Sequence, residues 1–351
     1  MIERLLIDAL LRCWYQRCPA SFKPLHALVL IPLSWLFGLL LRLRRACFRF
    51  GLCRVERMSV PVIVVGNLTV GGSGKTPLSI ALVAWLRAAG YVPGIVSRGY
   101  GGSARAPMPV QPDSDPALVG DEPVLMARRT ACPVWIGRRR AEAARQLLAF
   151  HPEVNVLIAD DGLQHLALAR DVELVVVDAA RGFGNARLLP AGPLREPLSR
   201  LAQVDAVVSN GAQALSLPVA CPRFTMQIAG ARFVNLADPG RSEAAAYFVD
   251  EHAASPLHAV AGIGHPERFF NQLATLGIHA IPHAFADHHA YQESDLPLGT
   301  VLMTEKDAVK CVCFARSDLW FLAVDAVVEA GLQPLIINLL NKRIANGPQT
   351  A

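Results

Sequence analysis

The sequence predicts an α/β protein: a mostly parallel sheet flanked by helices, a second, smaller α/β domain, and an N-terminal membrane-associated helix. Three observations carry this. From Pro61 onward, short apolar runs alternate with helical patterns, as in a parallel sheet joined by crossover helices. A glycine-rich loop lies between the first of those runs and the first of those helices. Residues 25–43 are apolar apart from His26, Ser34 and Arg42, and further arginines crowd in behind them. The expected division is 1–57 for the membrane-associated segment, 58–221 for the nucleotide-binding domain and 222–351 for the smaller domain.

A chain of 351 residues is long enough for two cores, and 52% of it is apolar. Residues 1–57 hold ten Lys/Arg against Glu3, Asp8 and Glu56, a local balance of +7, which leaves −2 for the rest of a chain whose total is +5. The positive charge therefore belongs to one end, and no nucleic-acid partner is expected. Nothing in the sequence points to an obligate protein partner. Eight cysteines without a CxxC pair read as reduced thiols, with neither a zinc site nor a disulfide framework.

The apolar run begins too late and lacks the cleavage site of a signal peptide. As one helix, the nineteen residues from Leu25 to Leu43 would reach about 28 Å, close to the roughly 30 Å of a hydrocarbon core. Pro32 favours a kink or restart, and the piece after it is only about 17 Å long, too short to cross unaided. Arg12, Arg17 and Lys23 precede the run, Arg42 stands at its end, and Arg44, Arg45, Arg49, Arg54 and Arg57 follow, so neither orientation is selected. The expectation is a helix dipped into an anionic membrane surface, with Trp14, Tyr15 and Trp35 at the interface. The competing reading is a buried core helix.

Strands are expected at Val60–Val65, Val92–Val96, Val134–Ile136, Val154–Ala159, Leu174–Val177 and Ala206–Val208, and helices at Thr76–Ala89, Pro123–Thr130 and Arg138–Phe150. Continuously apolar strands imply a sheet covered on both faces. Residues 101–118 read as a mobile loop. The smaller domain offers Arg223–Ile228 and Ala231–Leu236 as a hairpin-like pair, then His258–Gly262, Pro266–Leu276, Val301–Met303 and Leu319–Ala323. The tail from Asn341 is expected to fray.

The loop Thr69-Val70-Gly71-Gly72-Ser73-Gly74-Lys75-Thr76 is where chemistry begins. Glycines let successive backbone N–H groups face phosphate oxygens, and the following helix adds the positive end of its dipole. Lys75 would reach the terminal phosphates and the Thr76 hydroxyl a Mg²⁺ ion. Strand, loop and helix together make the sheet P-loop NTPase-like, although Thr69 stands where the usual pattern has glycine. Asp160 and Asp161 follow an apolar strand, where such proteins hold Mg²⁺, and Gly162-Leu163-Gln164-His165 comes next. A helix N-cap would account for one of the two acids. Arg98, in Ser97-Arg98-Gly99-Tyr100-Gly101-Gly102, sits at the same sheet edge and suits a phosphate or substrate oxyanion.

Gly120-Asp121-Glu122-Pro123 reads equally as an N-cap or a functional acid pair. Leu189-Pro190-Ala191-Gly192-Pro193-Leu194-Arg195-Glu196-Pro197 is a proline-studded loop whose Arg195 and Glu196 could be a plain surface ion pair. In Asp287-His288-His289-x-Tyr291, adjacent histidines point apart, which favours one working histidine over a shared metal. Thr304-Glu305-Lys306-Asp307 follows another apolar strand. Gly262-Ile263-Gly264-His265-Pro266 reads as a structural turn.

Together with Val65-Gly66-Asn67-Leu68 ahead of the loop, these blocks in this order resemble the tetraacyldisaccharide 4′-kinase family, over about residues 20 to 325. That family also writes threonine at the position of Thr69, and often phenylalanine where this chain has Leu163. The resemblance implies a two-domain lipid kinase of the cytoplasmic face of the bacterial inner membrane. It would move the γ-phosphate of ATP to the 4′-hydroxyl of an acylated glucosamine disaccharide 1-phosphate, with Mg²⁺ as cofactor. It places a catalytic dyad on Asp121, as general base, and His288, as its orienting partner from the other domain, so that domain closure completes the site. Lys75, and with it Arg195, would offset charge on the γ-phosphoryl; Asp160, Thr76 and Glu196 would hold the metal. Arg98, Asp161 and His165 remain candidates for phosphate or substrate. Two alternatives stay open: a membrane-attached P-loop ATPase switch with no lipid acceptor, and a soluble small-metabolite kinase with a buried N-terminal helix pair.

Overall fold

The computed structural model describes residues 2–213, 220–250, 256–314 and 316–345. The chain opens with α1 (Ile2–Tyr15), α2 (Lys23–Leu25), a wide π turn (His26–Leu30) and α3 (Ile31–Arg49). Next come β1 (Val62–Gly66), α4 (Lys75–Ala88), β2 (Pro93–Ser97), β3 (Met108–Val110), α5 (Pro116–Val119), α6 (Asp121–Thr130), β4 (Val134–Ile136) and α7 (Arg140–Phe150). They are followed by β5 (Val156–Asp160), β6 (Val172–Asp178), β7 (Ala206–Asn210), β8 (Arg223–Asn235), β9 (Ser242–Ala244), α8 (Ala245–Asp250) and β10 (Leu257–Ala261). The chain continues through α9 (Pro266–Thr275), β11 (Ala280–Ala284), β12 (Val301–Thr304), α10 (Glu305–Cys311), β13 (Leu319–Val328) and α11 (Leu332–Ala345).

Two compact units result: Met1–Lys75 with Asn155–Gln227 and Val328–Ala351, and Thr76–Val154 with Ile228–Val327. In the first, strands run in the order β7-β6-β1-β5, with the start of β8 beside β7, and every pairing is parallel. All residues of β1, β5, β6 and β7 are buried, as their largely apolar sequences require of strands covered on both faces. Val65 lies in register with Asp160, so the acid stands beside the strand that enters the glycine-rich loop.

In the second unit, β2 and β4 pair in parallel, β3 joins β4 antiparallel, and α7 packs on β2 and β4. A further set runs β11-β10-β12-β13, parallel throughout. One face of that set is covered by an aromatic cluster around Phe233, Phe248, Phe269 and Trp320. On the other, Val260, Met303, Leu319 and Tyr291 pack together.

Several expectations need correcting. Residues 101–118 contain β3 and α5, the helix capped by the Asp115 side chain accepting from the Ala117 N–H. The proposed hairpin of residues 223–236 is one strand, β8. Gly230 does not turn the chain: a Cβ there would lie 2.1 Å from the Ala323 carbonyl oxygen, so glycine permits a close backbone approach. The C-terminal helix runs to Ala345, with Leu332, Ile336 and Leu340 buried, while the rest of the tail expected to fray lies outside the described residues. Cys13 and Cys18 are joined by a disulfide, against the reduced-thiol reading.

Pro32 does not break the N-terminal helix. It occupies the first turn of α3, where its missing N–H costs little, and the Ile31 N–H reaches back to the His26 carbonyl across the wide turn. The helical run spans Ala20–Arg49, the one helix among the described residues long and apolar enough to cross a membrane. It is not a core helix, for only 6% of its most apolar window is buried. A polar edge holds it to the first unit: His26 Nε2 donates to the Ala191 carbonyl at 2.9 Å and Ser34 Oγ to the Leu188 carbonyl at 2.9 Å. Trp35, Leu36, Leu39, Leu40 and Leu43 are left exposed.

Candidate active site

The first unit carries the glycine-rich loop. Three contacts brace it: Val70 N–H donates to the Pro193 carbonyl at 2.9 Å, Asn67 Nδ2 to the Gly71 carbonyl at 3.1 Å, and Asn210 Nδ2 to the Ser73 carbonyl at 3.0 Å. Thr69 and Ser73 are buried, Val70 is exposed, and Gly71, Gly72 and Gly74 complete the turn into Lys75 and Thr76 at the start of α4. A loop held by its neighbours keeps its conformation without a ligand, which is preorganisation for phosphate.

Lys75 Nζ lies 3.6 Å from Asp161 Oδ1. Arg195 reaches both oxygens of the same carboxylate, at 3.1 and 3.2 Å. Asp161 thus gathers both cations. Its neighbour Asp160 is fully buried at the end of β5. Arg195 and Glu196 do not pair with each other; the peptide sends them opposite ways. Glu196 is buried, accepts from Gln164 Nε2 at 2.9 Å, and is paired with Arg45 of α3. Both its oxygens are therefore engaged by protein donors. Arg98 is exposed just beyond β2, and the His165 carbonyl accepts from Arg170 at 2.7 Å.

The second unit carries the other group. Gly120 precedes α6 at φ 92°, and a Cβ on it would lie 2.6 Å from the Tyr100 carbonyl oxygen, so only glycine fits. Asp121 opens α6, is 4% exposed, and accepts from the Glu122 N–H at 2.8 Å. His288 Nδ1 lies 3.0 Å from both of its oxygens. Sequence reasoning expected domain closure to complete the site, yet these two residues belong to one unit and already touch. His289 turns away to Asp295.

Lys306 and Lys310 of α10 flank Asp121 at 4.0 and 3.8 Å. Burial pushes the Asp121 carboxyl up, but the His288 hydrogen bond and the two ammonium groups outweigh it and hold it below its ordinary value. Burial pushes His288 down, and its bond to Asp121 more than compensates, leaving it raised although Lys306 opposes this. Asp161 and His288 also share a backbone feature. Both have positive φ, 48° and 60°, and among the described residues only Ala131 and Ala186 are other non-glycine cases. Left-handed backbone costs such residues roughly 1–3 kcal/mol and concentrates at functional positions.

A family model described as tetraacyldisaccharide-1-P 4′-kinase matches residues 26–341. The chain belongs to that family. Relatives named tetraacyldisaccharide 4′-kinase include that of Methylobacillus flagellatus, 49% identical over 318 residues, which are 90% of this chain and 92% of the relative. The Dechloromonas aromatica relative is 50% identical, across 90% of this chain and 93% of its own. Among solved structures, the "apo" form of LpxK from Aquifex aeolicus in complex with ATP aligns with a TM-score of 0.75 at 28% identity, covering 90% of this chain and 99% of that one. As a tetraacyldisaccharide 4′-kinase family member the chain is an ATP-dependent lipid kinase of lipid A biosynthesis, with a P-loop fold, and the switch ATPase is disfavoured.

Sequence reasoning gives Lys306, Lys310, Gln164 and Asn210 no role in the site, and places Arg45 only among the arginines of the membrane surface. Lys306 lies in a block that was noticed for its place after a strand, but nothing in that block names its partners.

Proposed function

We propose that Asp121 is the general base that takes the proton of the 4′-hydroxyl as the γ-phosphoryl of ATP moves onto it, with His288 orienting the carboxylate. The observation that carries this reading is the pairing of buried Asp121 with half-buried His288, two residues far apart in sequence held at 3.0 Å with the histidine on a strained backbone. A sugar hydroxyl is a very weak acid, so its proton leaves late, and most of the catalysis is positioning and charge neutralisation. The loop from Thr69 to Thr76 cradles the phosphates. Lys75 offsets the charge that gathers on the transferred group, and Arg195 assists. Binding nucleotide then draws both cations away from Asp161, which holds them until phosphate arrives. Arg98 and His165 remain candidates for substrate contact.

The residues fit a hard divalent cation: Asp160 and Thr76 offer oxygen alone, and no cluster of three acidic, histidine or cysteine ligands exists among the described residues. That is the pattern for Mg²⁺ shared with phosphates and water. Bound there, Mg²⁺ would neutralise phosphate charge. Glu196, expected as a third ligand, has its oxygens on Gln164 and Arg45 and serves better as the tie between the loop and α3.

We assign residues 1–57 to an anionic membrane surface on the cytoplasmic face of the inner membrane, 58–221 to the nucleotide and 222–351 to the smaller domain that supplies His288. The exposed row on α3 supports the first assignment, since the acyl chains of the acceptor stay in the bilayer. The test is transfer of radiolabelled γ-phosphate to acylated disaccharide 1-phosphate by wild type and Asp121→Asn side by side. Robust ATP hydrolysis without lipid, or full transfer by the variant, would sink the reading.

A further inference from the structure

Lys306 is half-buried at the start of α10, and three side chains lie within hydrogen-bond reach of its ammonium group. Glu122 Oε1 and Asp287 Oδ1 are each at 3.2 Å, and His288 Nε2 is at 3.4 Å. An ammonium group has three donors and no lone pair. Toward Lys306, Nε2 can therefore only accept, and a ring nitrogen that accepts carries no proton. The imidazole proton is left to Nδ1, where both oxygens of Asp121 stand at 3.0 Å to receive it. Asp287 Oδ1, at 3.8 Å from Nε2, is too far to hold a proton there and is already taken by Lys306. The remaining neighbours are the Tyr100 ring, 5.0 Å away, and Gly101, neither of which offers a competing charge. Lys310 faces Asp121 rather than the ring.

We propose that Lys306 is a positioning residue that, above the titration of His288, holds the imidazole in its Nδ1–H tautomer and so gives the Asp121 carboxylate an oriented, neutral partner. A neutral imidazole steers the carboxylate by one hydrogen bond and leaves its negative charge available for the acceptor hydroxyl. An imidazolium would clamp that charge in an ion pair and weaken the base. Lys306 is itself held. Arg129 Nη1 at the far end of α6 donates to both oxygens of Glu305, at 2.9 and 2.7 Å, which ties the helix bearing Asp121 to the helix bearing Lys306. The inference rests on the proposed role of Asp121 as proton acceptor.

The test is nitrogen-15 spectroscopy of full-length protein with labelled histidine, the His288 signals being identified by their loss in His288→Gln. At a pH above its titration, wild-type His288 should show a protonated Nδ1 and a bare Nε2. Lys306→Met should raise the His288 titration, lift the acid limb of the kcat profile by about half a pH unit or more, and leave KM for ATP nearly unchanged. Its kcat should fall roughly 10- to 100-fold, with Lys306→Arg recovering part of the loss. A wild-type Nε2–H tautomer overturns the proposal whether or not the variant folds, as does a Lys306→Met pH profile that superimposes on wild type. If Asp121→Asn retains transfer, the base assignment fails, while the tautomer measurement still decides the role of Lys306.

Discussion

His288 Nδ1 stands 3.0 Å from both carboxylate oxygens of Asp121, a pair separated by 167 positions in the sequence. Asp121 also begins α6 and accepts from the Glu122 N–H, so a structural role and a chemical role coincide on one side chain. Asparagine keeps the acceptor and loses the basicity. Asp121→Asn is expected to lower kcat by roughly 10²- to 10⁴-fold with KM for ATP little changed. A thermal melt beside the kinetics separates the roles, because loss of the Glu122 hydrogen bond alone would cost about 1 kcal/mol and leave kcat intact.

The same pair predicts a pH dependence of stability. The lowered Asp121 contributes above its ordinary 3.8, and that contribution is lost as pH falls through its depressed folded value. The raised His288 contributes below its ordinary 6.5 and loses this as pH rises through its elevated folded value. Both contributions are complete only between those two ordinary values. A double-mutant cycle of Asp121→Asn and His288→Gln, read by urea unfolding, should show larger coupling near pH 5.5 than at pH 9. Equal coupling at the two would mean the pair is not ionic.

Lys75→Ala should abolish phosphoryl transfer on the order of 10²-fold or more by withdrawing charge from the transition state. Asp161 retains Arg195 in that variant, so the loop region should keep its fold. Unchanged turnover in a γ-phosphate transfer assay would discard the loop assignment.

The exposed row on α3 predicts membrane attachment. Leu36→Glu with Leu40→Glu removes two apolar side chains worth roughly 1.5–3 kcal/mol each when buried. Flotation with anionic vesicles should fall steeply, while binding of a soluble ATP analogue stays as in wild type. Undiminished flotation would reassign that face.

Gly230→Val tests the close approach of β8 to Ala323. Its side chain has no room, and the unfolding free energy should drop by about 1–3 kcal/mol. A midpoint equal to wild type would restore the turn reading of that glycine.

Local signals made most of the sheet legible. Val134–Ile136 was expected and found residue for residue, and β1, β5, β6 and β7 lie within two residues of their expected bounds. Buried parallel strands must be continuously apolar, so they announce themselves. β8 was misread because a glycine inside an apolar run means a turn or a close neighbour, and only the neighbour at Ala323 tells which. β3 was missed because Pro109 interrupts its three residues inside a stretch rich in glycine and proline, whereas the equally short β4 is continuously apolar.

By itself, the sequence determined the phosphate loop, the strand that presents Asp160 and the apolar segment with its arginines, because each is written in consecutive residues whose backbone chemistry is local. Tertiary structure alone decided the partners. Glu196 leaves its neighbour Arg195 for Arg45, Asp161 gathers Lys75 and Arg195, and Lys306 meets His288 beside Asp121. Spacing along a chain says which residues share a face, but long-range contact depends on how strands are ordered and helices clamped. The loop that binds phosphate could be read directly. The environment proposed to make Asp121 a base exists only where α6, α10 and the His288 loop converge.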